Sequence, residues 1–327
     1  MQLPADLREA ISHALEGVSR TALSERAARI SALYRTGAPS AIAVRDEADA
    51  LAYAVSRLPA TYAAVRHVLG RLQERCPDFR PRKLLDLGAG PGTASWAAVE
   101  SFPRIETIAQ IDSNQALLNL GIKLSESDSS SPLRNALRIN ADIVRKIEES
   151  LSAELVILSY TLAELARSAM EDALSGAWKQ CTGALVIVEP GTPSGYERIL
   201  RAREFATAQR AGILAPCPHQ LKCPLVPPDW CHFVQRISRS RDHMIVKSAD
   251  LSYEDEKFSY LIVVREHLFR PAEKNRILAQ PQIGKAGFTA KLCTLAGRCE
   301  SASIGRRNKQ ALKRARKIDW GDQLQPL

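Results

Sequence analysis

Aromatic residues make up only 6% of this 327-residue chain. No apolar run approaches the roughly 18 residues that a membrane-spanning helix needs, which argues against an integral membrane protein. The opening stretch MQLPADLREAISHALEG has no basic region followed by an apolar run, so a secretory signal is not expected. Asp6, Glu9, Glu16 and Glu25 stand among the early basic residues. Mitochondrial transit peptides are poor in acids, so that address is not expected either. There is no internal repeat and no long low-complexity tract; SESDSSS at 125–131 is a brief polar loop. These absences lead to the expectation of a cytoplasmic protein, in the simplest case bacterial and monomeric when free. Its seven cysteines would then stay reduced, which disfavours a disulfide framework and raises metal ligation as the competing reading.

What is present fits a globular chain. Hydrophobic residues reach 45%, enough for a sizeable core, and the formal charge of +9 hints at a polyanionic partner. Residues 1–80 read as helical: Asp46–Leu72 places apolar residues at helical spacing, with Pro59 expected to break or kink the run. From Lys83 short apolar runs alternate with helical stretches, the pattern of a parallel α/β sheet. Strands are expected at Lys83–Leu87, Thr107–Ile111, Ala136–Ile139, Leu155–Leu158, Ala184–Val188 and Tyr260–Val264. Helices should start near Thr93 and Asn114, and an arginine-rich one should span Tyr196–Gln209. Residues 212–247 read as an inserted loop rich in proline, with three cysteines and three histidines, and 272–327 as a small β-rich segment followed by a basic helix.

The run Asp86-Leu87-Gly88-Ala89-Gly90-Pro91-Gly92 lies between an expected strand and an expected helix. Glycine lets a ligand approach the main chain closely. A dinucleotide fingerprint would need glycine at position 93, where Thr93 stands. Asp86 would repel a pyrophosphate but suits a cationic, amino-acid-bearing ligand. Asp112 ends the second expected strand, where an acid accepts hydrogen bonds from ribose hydroxyls. Asp142 follows the third strand, at the place of adenine-edge contacts in such domains. Across about residues 81–265 this arrangement resembles class I methyltransferases. The resemblance implies an α/β fold with a Rossmann-like sheet and S-adenosylmethionine held by Asp86, Gly88, Ala89, Gly90, Gly92, Asp112, Asp142 and Ser159.

The loop after the fourth strand, Leu158-Ser159-Tyr160-Thr161-Leu162-Ala163-Glu164, lacks the Asn/Asp-Pro-Pro-aromatic motif of enzymes that methylate exocyclic base amines. No Pro-Cys or Thr-Cys pair suggests a cytosine-C5 nucleophile, and Cys181 precedes the fifth strand, at the wrong end for the site. Ser159, Tyr160 and Glu164 could orient a substrate, or simply form a polar loop and a helix start; Glu189 and Pro190 are equally ambiguous. The residues therefore support cofactor binding better than turnover, and no catalytic residue is assigned.

Cys217, Cys223 and Cys231 stand within fifteen residues. Three thiols so close in a reduced protein point to a metal, with His219, His232, Cys293 and Cys299 as candidates for the fourth ligand. A histidine would suit zinc; a fourth cysteine would suit zinc or an iron–sulfur cluster. The run APCPHQLKCPLVPPDWCHFVQRISRSRDH, followed by YEDEKFSYLIVVRE, resembles the methyltransferase-like assembly factors of the small ribosomal subunit, a family known from mitochondria with bacterial relatives. The similarity extends through Leu155–Leu165 and Glu189–Arg203 to Asp319-Trp320-Gly321-Asp322, and is weaker before residue 45.

That family implies a 4Fe-4S cluster on Cys217, Cys223, Cys231 and Cys293, with Cys299 ranked second and the two histidines as neighbours. The organisation it implies is a helical region at 1–80, a cofactor domain at 81–268 carrying the metal-binding insert 212–247, and a basic extension at 269–327. Two basic groups, Arg236, Arg239, Arg241 and Lys247, then Arg306, Arg307, Lys309, Lys313, Arg314, Arg316 and Lys317, make salt-sensitive RNA binding plausible. The resemblance directs them toward the ribosomal RNA of the small subunit or a precursor particle. Two readings stay open: a methyltransferase of ribosomal RNA, and an assembly factor that binds cofactor and RNA without transferring a methyl group.

Overall fold

Short leucine- and isoleucine-rich runs bounded by turns become strands, and their order places the glycine loop. In the computed structural model, which describes residues 1–126, 131–144 and 147–325, eight strands share one sheet. They are β1 (Lys83–Leu87), β2 (Thr107–Asp112), β3 (Leu137–Asn140), β4 (Ala153–Ser159), β5 (Cys181–Pro190), β6 (Gly212–Ala215), β7 (Phe233–Ser238) and β8 (Tyr253–Val264). Of the polar run 125–131, residues 127–130 lie outside the described residues.

The strand order is β3-β2-β1-β4-β5-β8-β6. Strands β1 to β5 are parallel, and β8 runs antiparallel to β5, β6 and β7. The chain winds outward from β1 through β2 and β3, then returns to the other side of β1 with β4. The crevice between β1 and β4 is thus the topological switch point, where open α/β sheets bind ligands. This parallel-dominated sheet is the Rossmann-like α/β sheet expected from the sequence.

The helices are α1 (Ala5–Ala14), α2 (Arg20–Arg35), α3 (Ser40–Ala43), α4 (Glu47–Ser56), α5 (Leu58–Arg75), α6 (Thr93–Ser101), α7 (Gln115–Ser125), α8 (Ala169–Gln180), α9 (Pro193–Ala208) and α10 (Arg241–Val246). Pro59 falls in the first turn of α5, where its missing N–H has no helical partner to lose, so the expected break comes between α4 and α5. Successive residues of a strand face opposite sides, and both sides are covered. Leu84, Leu155, Ile157, Val186 and Val188 pack with Leu69 and Leu72 of α5 and Ala97 of α6. Leu85, Leu87, Val156, Leu158, Leu185 and Ile187 pack with Leu174 of α8 and Ile199 and Ala202 of α9. No helix among the described residues is long and apolar enough to cross a membrane.

Residues 212–247 are not one inserted loop. They supply β6 and β7 to the main sheet, with α10 after them, and only the stretch between the two strands lacks helix and strand. Both strands are short and owe their place to pairing with the distant β8, which local pattern does not reveal.

A second, antiparallel sheet follows. It contains β9 (Asn275–Ile277), β10 (Gln282–Gly284), β11 (Gly287–Cys293), β12 (Cys299–Gly305) and β13 (Gln323–Leu324), with β11 at its centre. The basic helix α11 (Lys309–Ala315) turns Leu312 and Ala315 into the small core formed with Phe288, Leu292 and Ile304.

Candidate functional site

The turn from β1 into α6 carries three left-handed glycines, Gly88 (φ 72°), Gly90 (φ 54°) and Gly92 (φ 79°). Their surroundings differ. A Cβ on Gly88 would collide with the Thr161 side chain, and one on Gly92 would come within 2.5 Å of Gln110 Nε2. A Cβ on Gly90 would meet nothing nearer than Leu117 Cδ1 at 3.8 Å. The amides of Gly88 and Ala89 donate to Ile111 O at 2.8 and 3.1 Å, tying the loop to β2.

Asp86 is buried, and its Oδ2 accepts from Ser95 N (3.1 Å) and Ser95 Oγ (2.7 Å). Burial pushes its carboxyl up to about 7, against those two hydrogen bonds. Asp112 is also buried and raised by desolvation. Its Oδ2 accepts from Gly90 N and its Oδ1 from Asn114 N, both at 2.7 Å, so each oxygen already holds a partner within the loop while keeping one lone pair. Asp142 is exposed beyond β3 and caps Val144 N at 3.0 Å. Ser159 ends β4, and its buried Oγ has no partner among the described residues.

The loops after β4 and β5 close over this edge. Tyr160 takes a left-handed backbone (φ 60°), which side chains other than glycine adopt at a cost. Its hydroxyl donates to Glu256 Oε1 at 2.8 Å. Thr161 Oγ1 donates to Leu87 O at 2.9 Å. Glu164 accepts from Ser40 N at 2.7 Å, and Asn114 Nδ2 donates to Ser40 O and Val44 O, which straps the α3 segment to the tip of the sheet. Glu189 is fully buried, accepts from Leu162 N at 3.0 Å and lies 3.5 Å from Arg198. Burial pushes its carboxyl up to about 8. Ser95, Gln110, Asn114 and Thr161 carry no motif of their own and were not legible as site residues.

Cys217, Cys223, Cys231 and Cys293 line a single cavity, together with Tyr196, Arg203, Tyr260 and Arg276. Three come from the segment between β6 and β7 and the fourth from the end of β11, so the second sheet is joined to the first through this cavity. Tyr196 Oη lies 3.1 Å from Cys223 Sγ, and His219 Nε2 lies 3.3 Å from Cys293 Sγ. Cys299 does not line the cavity, and His232 stacks on Trp230 with its edge to Trp320. Burial pushes the Cys217 and Cys231 thiols up, and the neighbouring thiols add to it. A thiolate form here therefore requires positive charge nearby.

No three histidine, cysteine or carboxylate side chains among the described residues converge closely enough for a single ion. Four soft sulfur donors nevertheless line one cavity, a donor set that suits a thiophilic metal. Arg203, whose buried Nε has no partner among the described residues, lines the same space. Tyr196, Arg203 and Arg276 escape sequence reading because α9 and β9 reach the cavity only through the tertiary fold.

The two basic groups behave differently. Arg236 pairs with Asp255 at 2.7 Å, while Arg239 and Lys247 both pair with Glu254, at 2.7 and 2.6 Å. Three of the first four cations are thus paired internally, two of them sharing one carboxylate. Arg306, Arg307, Lys309, Lys313, Arg314, Arg316 and Lys317 are all exposed, and none joins an ion pair among the described residues.

Comparison with known proteins follows the same extent of chain. The family model for the mitochondrial small ribosomal subunit Rsm22 matches residues 47–325. The human mitochondrial ribosome assembly protein METTL17 is 29% identical over 297 residues, covering 86% of this chain and 63% of that protein. The mitochondrial Rsm22-cox11 tandem protein 2 of Schizosaccharomyces pombe is 28% identical over 247 residues, covering 68% of this chain and 32% of that protein. The chain therefore spans less than two thirds of the length of either relative.

Solved structures with a similar fold include magnesium protoporphyrin IX methyltransferase from Synechocystis with bound SAM (TM-score 0.41, 11% identity, covering 63% of this chain and 80% of that one). Another is precorrin-6y C5,15-methyltransferase from Geobacter metallireducens (TM-score 0.40, 14% identity, 61% and 85%). The mitochondrial family and relatives overturn the cytoplasmic expectation and point to mitochondria. That expectation rested on acids near residue 1, whereas the family match begins at residue 47 and says nothing about an address there.

Proposed function

The chain belongs to the Rsm22 family of the mitochondrial small ribosomal subunit, and from that premise we propose that it is an S-adenosylmethionine-binding, methyltransferase-like protein that acts on the small ribosomal subunit or its RNA. One observation carries the reading. The family match at 47–325 runs through the glycine loop, all four cavity cysteines and the basic helix, so one matched segment carries all three features.

In this reading the main chain at Gly88, Ala89 and Gly90 receives the cofactor, with Gly92 opening α6 behind them. Asp86 lies beneath the loop and anchors it through Ser95. Asp112 offers its remaining lone pairs to ribose hydroxyls, Asp142 stands at the adenine edge and Ser159 presents the free hydroxyl at the end of β4. Bound S-adenosylmethionine supplies an activated methyl group on a sulfonium. Cys217, Cys223, Cys231 and Cys293 hold a 4Fe-4S cluster, for which zinc is the alternative, and Tyr196 and His219 contact the sulfurs. The exposed cations of α11 and the turn before it engage ribosomal RNA phosphates.

A specific observation favours the second reading, an assembly factor that transfers no methyl group. Apart from Ser159, the side chains that could orient an acceptor at the sheet edge already hold a partner within the fold: Tyr160 with Glu256, Glu164 with Ser40, Glu189 with Leu162. Incubating the purified protein with labelled cofactor and immature small subunits tests both. Label entering RNA, and lost on replacing Gly90, establishes the enzyme. Cofactor binding without transfer establishes the factor. Absence of cofactor binding refutes the proposal.

A further inference from the structure

Two arginines stand out among the buried groups because no acid accounts for them. Arg203, on α9, is 5% exposed, and Arg276, on β9, is 4% exposed. Charges so deep are normally paired, since an isolated buried ion loses far more hydration than neutral hydrogen bonds return. Among the described residues these guanidinium groups reach main-chain carbonyls only. Arg203 donates to His219 O and Leu221 O, and Arg276 donates to Pro216 O at 3.1 Å and Gly321 O at 2.5 Å. Arg203 Nε has no acceptor. Both side chains line the cavity of the four cysteines.

Four thiolates carry four negative charges. A zinc ion or an oxidised four-iron cluster supplies two positive charges, leaving the site at minus two. The two guanidinium groups restore neutrality, and among the described residues no other cationic side chain lines the cavity.

We propose that Arg203 and Arg276 are the built-in counter-charges of the four-thiolate site, positioning residues that let a dianionic metal–thiolate group sit in this buried cavity and that favour its reduction if it is an iron–sulfur cluster. The inference rests on the cluster reading given above. It adds that the carbonyls of Pro216, His219 and Leu221 aim the arginines at the site, so the segment bearing the first cysteines also orients their counter-ions. One added electron makes the group more negative, and two fixed cations stabilise that state most. Hydrogen bonding and charge around the sulfurs are established controls of cluster potential.

The test uses the full chain, purified anaerobically after iron and sulfide reconstitution, as wild type and as Arg203→Gln, Arg276→Gln, the double variant and the two Arg→Lys variants. Glutamine keeps a donor for the carbonyls and removes the charge; lysine keeps the charge. Iron per chain, circular dichroism and the midpoint potential of the visible band are read. The expected result is a lower midpoint in each Gln variant, a still lower one in the double variant, and a value near wild type with Lys. Loss of iron in the Gln variants with retention in the Lys variants, all folded, supports the same conclusion. Folded, iron-loaded Gln variants with the wild-type midpoint overturn it, as does loss of iron in the Gln and Lys variants alike. A wild type that takes up no iron sinks the cluster reading itself, and the inference with it.

Discussion

Replacing Lys309, Lys313 and Arg316 with Gln removes three charges from one face of α11, because residues three and four apart are neighbours on a helix. All three are exposed, whereas Leu312 and Ala315 carry the packing against the second sheet, so the fold should survive. If each cation meets one RNA phosphate, the logarithmic salt slope of binding falls by about 0.7 to 0.9 per contact, or about 2 to 3 in all. At 0.1 M salt each contact is worth about 1 kcal/mol of counterion release, so binding should weaken about 100-fold. The assay is filter binding or fluorescence anisotropy with small-subunit RNA between 50 and 300 mM salt. The control is Arg239→Gln with Lys247→Gln, two cations already held by Glu254. That pair should lower stability and leave the salt slope unchanged. An α11 variant with the wild-type slope, or a control that shifts it, would refute the assignment of this face to RNA.

Asp86 and Glu189 should make the fold less stable as pH rises. Their folded values, about 7 and about 8, exceed the unfolded ones of about 4, so the native state holds protons that the unfolded chain has released. This stabilisation is complete below about pH 4 and is lost progressively toward pH 7 to 8, by up to about 1.4 kcal/mol per pH unit per group. Urea unfolding at pH 5 and pH 7 should show a flatter dependence in Asp86→Asn, and an unchanged slope would contradict the burial argument. Asp49→Ala should cost about 3 kcal/mol, read as a lower urea midpoint, because it leaves the guanidinium groups of Arg26 and Arg29, each 2.6 Å away, without their buried carboxylate. Gly88→Ala should damage folding through the clash with Thr161. Gly90→Ala should cost only the ~1–2 kcal/mol of a left-handed backbone, yet abolish S-adenosylmethionine binding by calorimetry. Normal cofactor affinity in Gly90→Ala would remove this loop from the binding site.

Much of the frame was legible because its signals are local. Strands β1, β2 and β4 are apolar runs beside glycine, aspartate or serine turns, and their expected ends fall within two residues of the observed ones. Strands β6 and β7 were not legible, since four to six residues paired with a distant strand carry no signature of that pairing. The cysteines announced themselves by clustering, but Arg203 and Arg276 did not. One looked like a surface charge on an arginine-rich helix and the other like an ordinary basic residue in a β-rich tail. The basic residues misled in the same way: Arg236, Arg239 and Lys247 read as a free cationic group but are paired with Asp255 and Glu254 of β8.

The glycine loop shows most clearly where a motif stops being evidence. Two of its three glycines are required by the protein itself, Gly88 by the Thr161 side chain and Gly92 by Gln110, so their presence would be explained with no ligand at all. Asp86 and Asp112 are likewise engaged by Ser95, Gly90 and Asn114, partners that any well-formed turn at this sheet edge would supply. The part of the loop that internal packing leaves unexplained is narrow. It comprises Gly90, where a side chain would meet Leu117 Cδ1 only in ordinary contact at 3.8 Å, and the Ser159 hydroxyl, buried without a partner among the described residues. Those two groups lie at the ends of the loops after β1 and β4, on either side of the switch point. Gly90 keeps its own backbone reason in a φ of 54°, so the unpartnered Ser159 hydroxyl is the feature at this edge that folding alone explains least.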